Sequence, residues 1–240
     1  ISFTEALQHF QSAELPQSRG KLREPRRRGI LGALLRCLRG PPRLRPQLRG
    51  EQELALAMAQ CALDDSERVH MRILQTIYRQ LTRSRLGCPR YGAHWEELGF
   101  QGREREQPSA WGDPQAHSQN PFKPPLEWIH SSPAPLATLS PIMLEFVFQN
   151  FPFCIMSVNI TRIVIQALQE ERLSRECNRR QQVIGVLNEL HAAAFLRLSR
   201  RWRQRHGTVA DAGFFLKELE LSTKKKPRQL LESLEAYLSH

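Results

Sequence analysis

Histidine and cysteine are the residues best able to hold a metal or to act as base and nucleophile, and in this chain their spacing suits neither task. The histidines are His9, His70, His94, His117, His130, His191, His206 and His240, with no two at metal-ligand spacing. A single histidine on a helix, such as His191, reads as a packing residue. Cys37, Cys61, Cys88, Cys154 and Cys177 form no Cys-x-x-Cys pair, and their odd number leaves one unpaired in any disulfide scheme. They read as small buried hydrophobes in a reducing compartment. The neighbouring carboxylates Glu96-Glu97 and Glu170-Glu171 point in different directions along a helix and make no acid/base pair. No phosphate-cradling glycine loop, Gly-x-Ser-x-Gly elbow or His-Glu-x-x-His helix is present. No catalytic residue, metal site or cofactor is therefore expected.

Two features point to binding instead. The first is Trp95-Glu96-Glu97-Leu98-Gly99-Phe100-Gln101-Gly102, where two glycines bracket an aromatic and an amide just after an amphipathic helix. The glycines imply a constrained loop that either anchors Trp95 and Phe100 in the core or presents them to a partner. The second is charge. The chain carries 35 Lys and Arg against 24 acids, with a pI near 10.1. Eleven of those cations and only two of the acids fall between Glu14 and Gly50. Such an arm suits an anionic membrane, through Arg19, Arg26, Arg27 and Arg28, or reads blandly as a solvated linker. Nucleic acid is disfavoured as a partner, because no aromatic lies between Gln11 and Gly50 to stack on bases.

The elements that must position these residues read as helices. Ser2 to Glu5 has capping-box spacing ahead of Ala6, Leu7 and Phe10. Ile30, Leu31, Leu34, Leu35 and Leu38 repeat at helical spacing until Gly40-Pro41-Pro42. Helices are also predicted over Glu51–Leu63 and along the stripe Val69, Ile73, Leu74, Ile77, Tyr78 and Leu81. After a long interruption come Cys154–Glu170, Val183–Trp202 ended by Gly207, Asp211–Leu221 and Pro227–Leu238. Almost nothing alternates as a strand does, so the fold class is all-α. Between Arg103 and Pro141 the periodicity disappears and eight of the 16 prolines accumulate, which predicts a disordered proline-rich insert. No apolar run reaches the length of a membrane-spanning helix.

Trp95-x3-Gly99-Phe100-Gln101-Gly102 resembles the opening of the ELMO-domain signature. Similar stretches occur on both sides of it: Ser2–Phe10, His70–Tyr78, Phe151–Thr161 and Leu173–Arg179. The resemblance implies an all-helical ELMO-like domain and a GTPase-activating protein for small GTPases of the Arf and Arl type. Such a protein is an activator with no chemistry of its own. It would be cytoplasmic, associated with membrane traffic, cilia or the actin cytoskeleton. By the same resemblance, Trp95, Gly99, Phe100, Gln101 and Gly102 would contact the GTPase.

One departure bears on activity. In the family a Thr-Asp-x-Arg-Gly element follows shortly after the Gly-Phe-Gln-Gly, and its arginine is thought to act on bound GTP. Here Gly102 runs into Arg103-Glu104-Arg105-Glu106-Gln107-Pro108, with no Asp-x-Arg-Gly. The expected organisation is an N-terminal helix and basic linker (1–50), a first ELMO-like part (51–102), the proline-rich segment (103–141) and a second ELMO-like part (142–240). Activation is expected to be impaired. The alternative is a non-catalytic adaptor that binds a GTPase or an anionic membrane through the basic arm.

Overall fold

The computed structural model describes residues 1–13, 15, 42–61, 64, 66–87 and 153–239. The proline-rich insert and the helix expected over Ile30–Leu38 lie outside the described residues. Among the described residues there are eight α-helices, two short 3-10 turns and no strand, so the all-α reading holds. The helices are α1 (Phe3–Ser12), α2 (Arg49–Gln60), α3 (Arg68–Thr82), α4 (Phe153–Gln169), α5 (Ser174–Arg180), α6 (Ile184–Gln204), α7 (Ala212–Lys225) and α8 (Pro227–Leu238).

Helix α6 is the axis of the fold. It buries twelve side chains, among them Leu187, Leu190, Phe195, Leu198 and Trp202, on faces that meet α2, α4, α5, α7 and α8. The run Ala192-Ala193-Ala194 in its middle allows neighbouring helices to approach closely, and all three alanines are buried. Helix α4 supplies Met156, Ile160, Val164, Ala167 and Leu168 to the same core, whereas α1 packs against both α2 and α3. One continuous apolar cluster runs from Ala6 to Leu234.

Helix α1 starts as its spacing predicts, with the Ser2 hydroxyl accepting from the Glu5 N–H at 3.1 Å. The Glu5 carboxylate does not return to complete a capping box. It pairs with Arg72 of α3 through both guanidinium nitrogens. A full capping box forms at Thr208 and Asp211, ahead of α7, where the hydroxyl and N–H of Thr208 hold the Asp211 carboxyl below its usual pKa. The α1–α3 contact is sealed by rings. His70 stacks on Phe10 at 5.6 Å and meets His9 edge-on, and its Nδ1 accepts from the Asp64 N–H at 3.1 Å.

Several helix ends carry a left-handed residue that is not glycine. Helix α4 stops at Glu171 (φ 59°), with the Arg172 N–H donating to the Ala167 carbonyl at 2.9 Å. Helix α6 stops at His206 (φ 48°), where the N–H of Gly207 donates to the Trp202 carbonyl at 2.9 Å. Both are Schellman closures. Gly207 ends α6 as predicted, but through space rather than backbone conformation: a Cβ there would stand 2.8 Å from the Phe215 ring and 2.9 Å from the Trp202 ring.

Three polar ties fix the remaining elements. Asn178 of α5 donates to the Arg43 carbonyl at 2.8 Å and accepts from the Arg45 N–H at 2.9 Å, so that buried Leu44 enters the core between them. Glu51 of α2 accepts from the Ile184 N–H at 2.8 Å and thereby caps α6. Arg180 bridges α5 to Glu189 of α6 and, at 2.7 Å, to Glu235 of α8.

Candidate functional site

The loop residues Trp95, Gly99, Phe100, Gln101 and Gly102 lie outside the described residues, as do Arg19, Arg26, Arg27 and Arg28. The described helices form a scaffold in which α3 precedes the Trp95–Gly102 segment in sequence and ends at Thr82, with Arg83 in the left-handed region, and α4 follows it from Phe153.

Within this scaffold a small cleft opens where α2, α4 and α6 meet. Its walls are Ala55 and Met58 of α2, Thr161, Val164 and Ile165 of α4, and Leu187, Asn188 and His191 of α6. The volume is ≈ 30 Å³, enough for about two waters and far too small for a nucleotide. One lining group has a polar partner behind it: His191 Nε2 lies 3.3 Å from Ser157 Oγ. This is not a nucleophile with its base. Ser157 is fully buried, out of reach of a substrate, and desolvation pushes the His191 pKa down to about 4, which makes the ring a weak base. The pair satisfies hydrogen bonds in an apolar seam, which agrees with reading His191 as a packing residue.

Cysteine and histidine chemistry is muted elsewhere. Cys177 is buried, and desolvation assisted by the nearby Glu51 charge raises its pKa to about 12. Cys61 lies half-buried at the C-terminal end of α2. Burial, and next the charge of His9, lowers the pKa of His70, against the opposing pull of Glu67 and Asp64. Among the described residues no group of three or more His, Cys, Asp or Glu could hold a metal ion. No helix among them is long and apolar enough to cross a membrane.

Sequence reasoning missed the role of Asn178, which lies in the Leu173–Arg179 stretch but has no periodicity to reveal it. It also missed α5 itself, a seven-residue helix whose sequence SRECNRR shows no apolar stripe.

The family comparison covers most of this architecture. The chain matches the ELMO/CED-12 family over residues 53–108 and 116–216. The first stretch holds α3 and the whole Trp95–Gly102 loop, and the second runs from residue 116 through α4, α5 and α6 into α7. The chain is 48% identical over 240 residues to ELMO domain-containing protein 3 of Bos taurus, covering 100% of this chain and 62% of the relative. It is 47% identical to the Homo sapiens protein of that name and 46% identical to the Mus musculus one, again over 100% of this chain and 62% of each relative. The chain thus spans less than two thirds of the length of the curated relatives it matches. No solved structure matches it. With the family matched across both helical parts, and the relatives aligned from end to end of the chain, this protein belongs to the ELMO/CED-12 family.

Proposed function

We propose that this chain binds small GTPases of the Arf and Arl type through the Trp95–Gly102 loop, and that it is impaired as an activator of their GTP hydrolysis. Family membership supports the GTPase partner, and the family match includes the loop. The observation that carries the impairment is the sequence after Gly102, where Arg103-Glu104-Arg105-Glu106 stands in place of Asp-x-Arg-Gly. An arginine finger neutralises charge growing on the phosphoryl oxygens and is worth about 10³–10⁵ in rate. Arg103 and Arg105 are each followed in sequence by a glutamate, and a finger acts by its placement.

Binding and activation are separable, since aromatic and amide contacts set affinity while a finger acts only on the transition state. The full chain should therefore retain a GTP-loaded Arf or Arl GTPase on a sensor surface in preference to the GDP-loaded form. Phe100→Ala should weaken that binding about tenfold or more, as loss of an aromatic anchor does. Equal binding of both nucleotide forms, or indifference to Phe100→Ala, would contradict the proposal.

The adaptor reading is favoured by the arm, with its eleven cations against two acids. It predicts the opposite dependence: binding insensitive to Phe100→Ala and lost when Arg26, Arg27 and Arg28 are replaced by Gln.

A further inference from the structure

Helix α7 has an outer face that the core does not use. Phe215 turns inward and packs against Trp202, with ring centroids 5.4 Å apart, while the adjacent Phe214 is 57% exposed. Leu221 lies seven residues, two turns, further along the same face and is 50% exposed. Lys217 and Lys225 are exposed on the same face. The Arg205 guanidinium sits over the Phe214 ring at 5.5 Å, and Val209, on the turn before the helix, is 66% exposed.

The acids of this element are taken. Glu218 is held by Arg201 at 3.0 Å, Glu220 by Lys224 at 2.6 Å, and Asp211 by Thr208 at 2.7 Å. Lys217 and Lys225 have no ion pair among the described residues. The face thus presents two large apolar side chains with cations on long stems around them, and the charges of Glu218 and Glu220 are offset by Arg201 and Lys224.

We propose that this face of α7 docks on an anionic lipid surface. Phe214 and Leu221 would enter the boundary between headgroups and acyl chains, while Lys217, Lys225 and Arg205 reach the lipid phosphates and carboxylates. Charge complementarity selects a membrane over a second copy of this chain, because two such faces would repel each other. The proposal stands apart from the GTPase reading and from the basic arm, since it uses neither the Trp95–Gly102 loop nor residues 19–49.

The test is sedimentation of the full chain with vesicles of phosphatidylcholine alone and of phosphatidylcholine with phosphatidylserine. Removal of two lysine charges, as in Lys217→Gln with Lys225→Gln, should lower partitioning onto the anionic vesicles by about 30-fold. Phe214→Ala with Leu221→Ala should lower it by about tenfold or more. Replacing Arg26, Arg27 and Arg28 by Gln should leave both ratios unchanged, whatever the arm itself contributes. Amide exchange supplies a readout that needs no variant: vesicles containing phosphatidylserine should slow exchange over 212–221. Failure of the chain to bind anionic vesicles would overturn the proposal. So would α7 variants that partition like the parent, or slowed exchange over 212–221 that appears with protein concentration and without lipid.

Discussion

His191 makes the stability of the α4–α6 seam depend on pH in a calculable way. Its imidazole is desolvated beside Ser157, and its pKa in the folded chain is about 4. In the unfolded chain an ordinary histidine titrates near 6.5. Between those two values the unfolded chain binds a proton that the folded chain refuses. Acid therefore favours unfolding, and the stability present above pH 6.5 is lost as pH falls through the window from about 6.5 to about 4. Moving from about pH 7.5 to about pH 5 should cost about 2 kcal/mol from this residue alone. His191→Gln keeps a hydrogen-bonding group toward Ser157 and removes the titration. Urea unfolding followed by far-UV circular dichroism at both pH values measures the two stabilities. The parent should lose about 2 kcal/mol more than His191→Gln on acidification, with unchanged m. His70 has a lowered pKa as well and adds a loss of the same sign to both proteins, so it cancels in the comparison. An equal acid loss in parent and variant would refute the reasoning, as would a parent that becomes more stable toward pH 5.

Other substitutions probe single contacts. Gly207→Ala forces a Cβ into the Trp202 and Phe215 rings and should cost about 1–3 kcal/mol, seen as a lower urea midpoint. Asn178→Ala removes both hydrogen bonds that bracket Leu44, so it should cost about 1–2 kcal/mol and speed limited proteolysis near residues 42–48. Cys177, with its thiol raised to about 12, should resist iodoacetamide in the folded chain and react only on opening, whereas half-buried Cys61 should be alkylated before it in peptide mass mapping.

Elements with a strong apolar period were legible from sequence alone. The helix predicted over Cys154–Glu170 is Phe153–Gln169, that predicted over Val183–Trp202 is Ile184–Gln204, and Pro227–Leu238 stands as read. The differences arise where packing or side-chain chemistry replaces periodicity. Helix α7 continues past Leu221 to Lys225, because buried Thr223 and the Lys224 bridge to Glu170 and Glu220 hold one more turn until Pro227. Helix α2 begins at Arg49 rather than Glu51, extending back into a 3-10 turn over Pro46–Leu48 that carries no pattern. Glu171, Gln181 and His206 take the left-handed closing positions that sequence rules reserve for glycine, so those ends could not be read. The Trp95–Gly102 segment was legible in a different sense. Nothing in its composition identifies a GTPase contact, and its meaning came from the order Trp95, Gly99, Phe100, Gln101, Gly102 within a family pattern. The absent Asp-x-Arg-Gly could be read only against that pattern, since nothing in the physics of one chain marks a residue that is missing.

Single-turnover hydrolysis of GTP on Arf and Arl GTPases, with the full chain in excess, tests the central claim most directly. Hydrolysis should proceed at the intrinsic rate of the GTPase even under conditions where the chain is bound. Placing the family's Asp-x-Arg-Gly element after Gly102 should restore activation, and replacing its arginine should abolish it again. An acceleration above roughly 10²-fold by the chain as it stands, approaching what a finger supplies, would contradict the account and assign the finger to Arg103, Arg105 or another residue of this sequence.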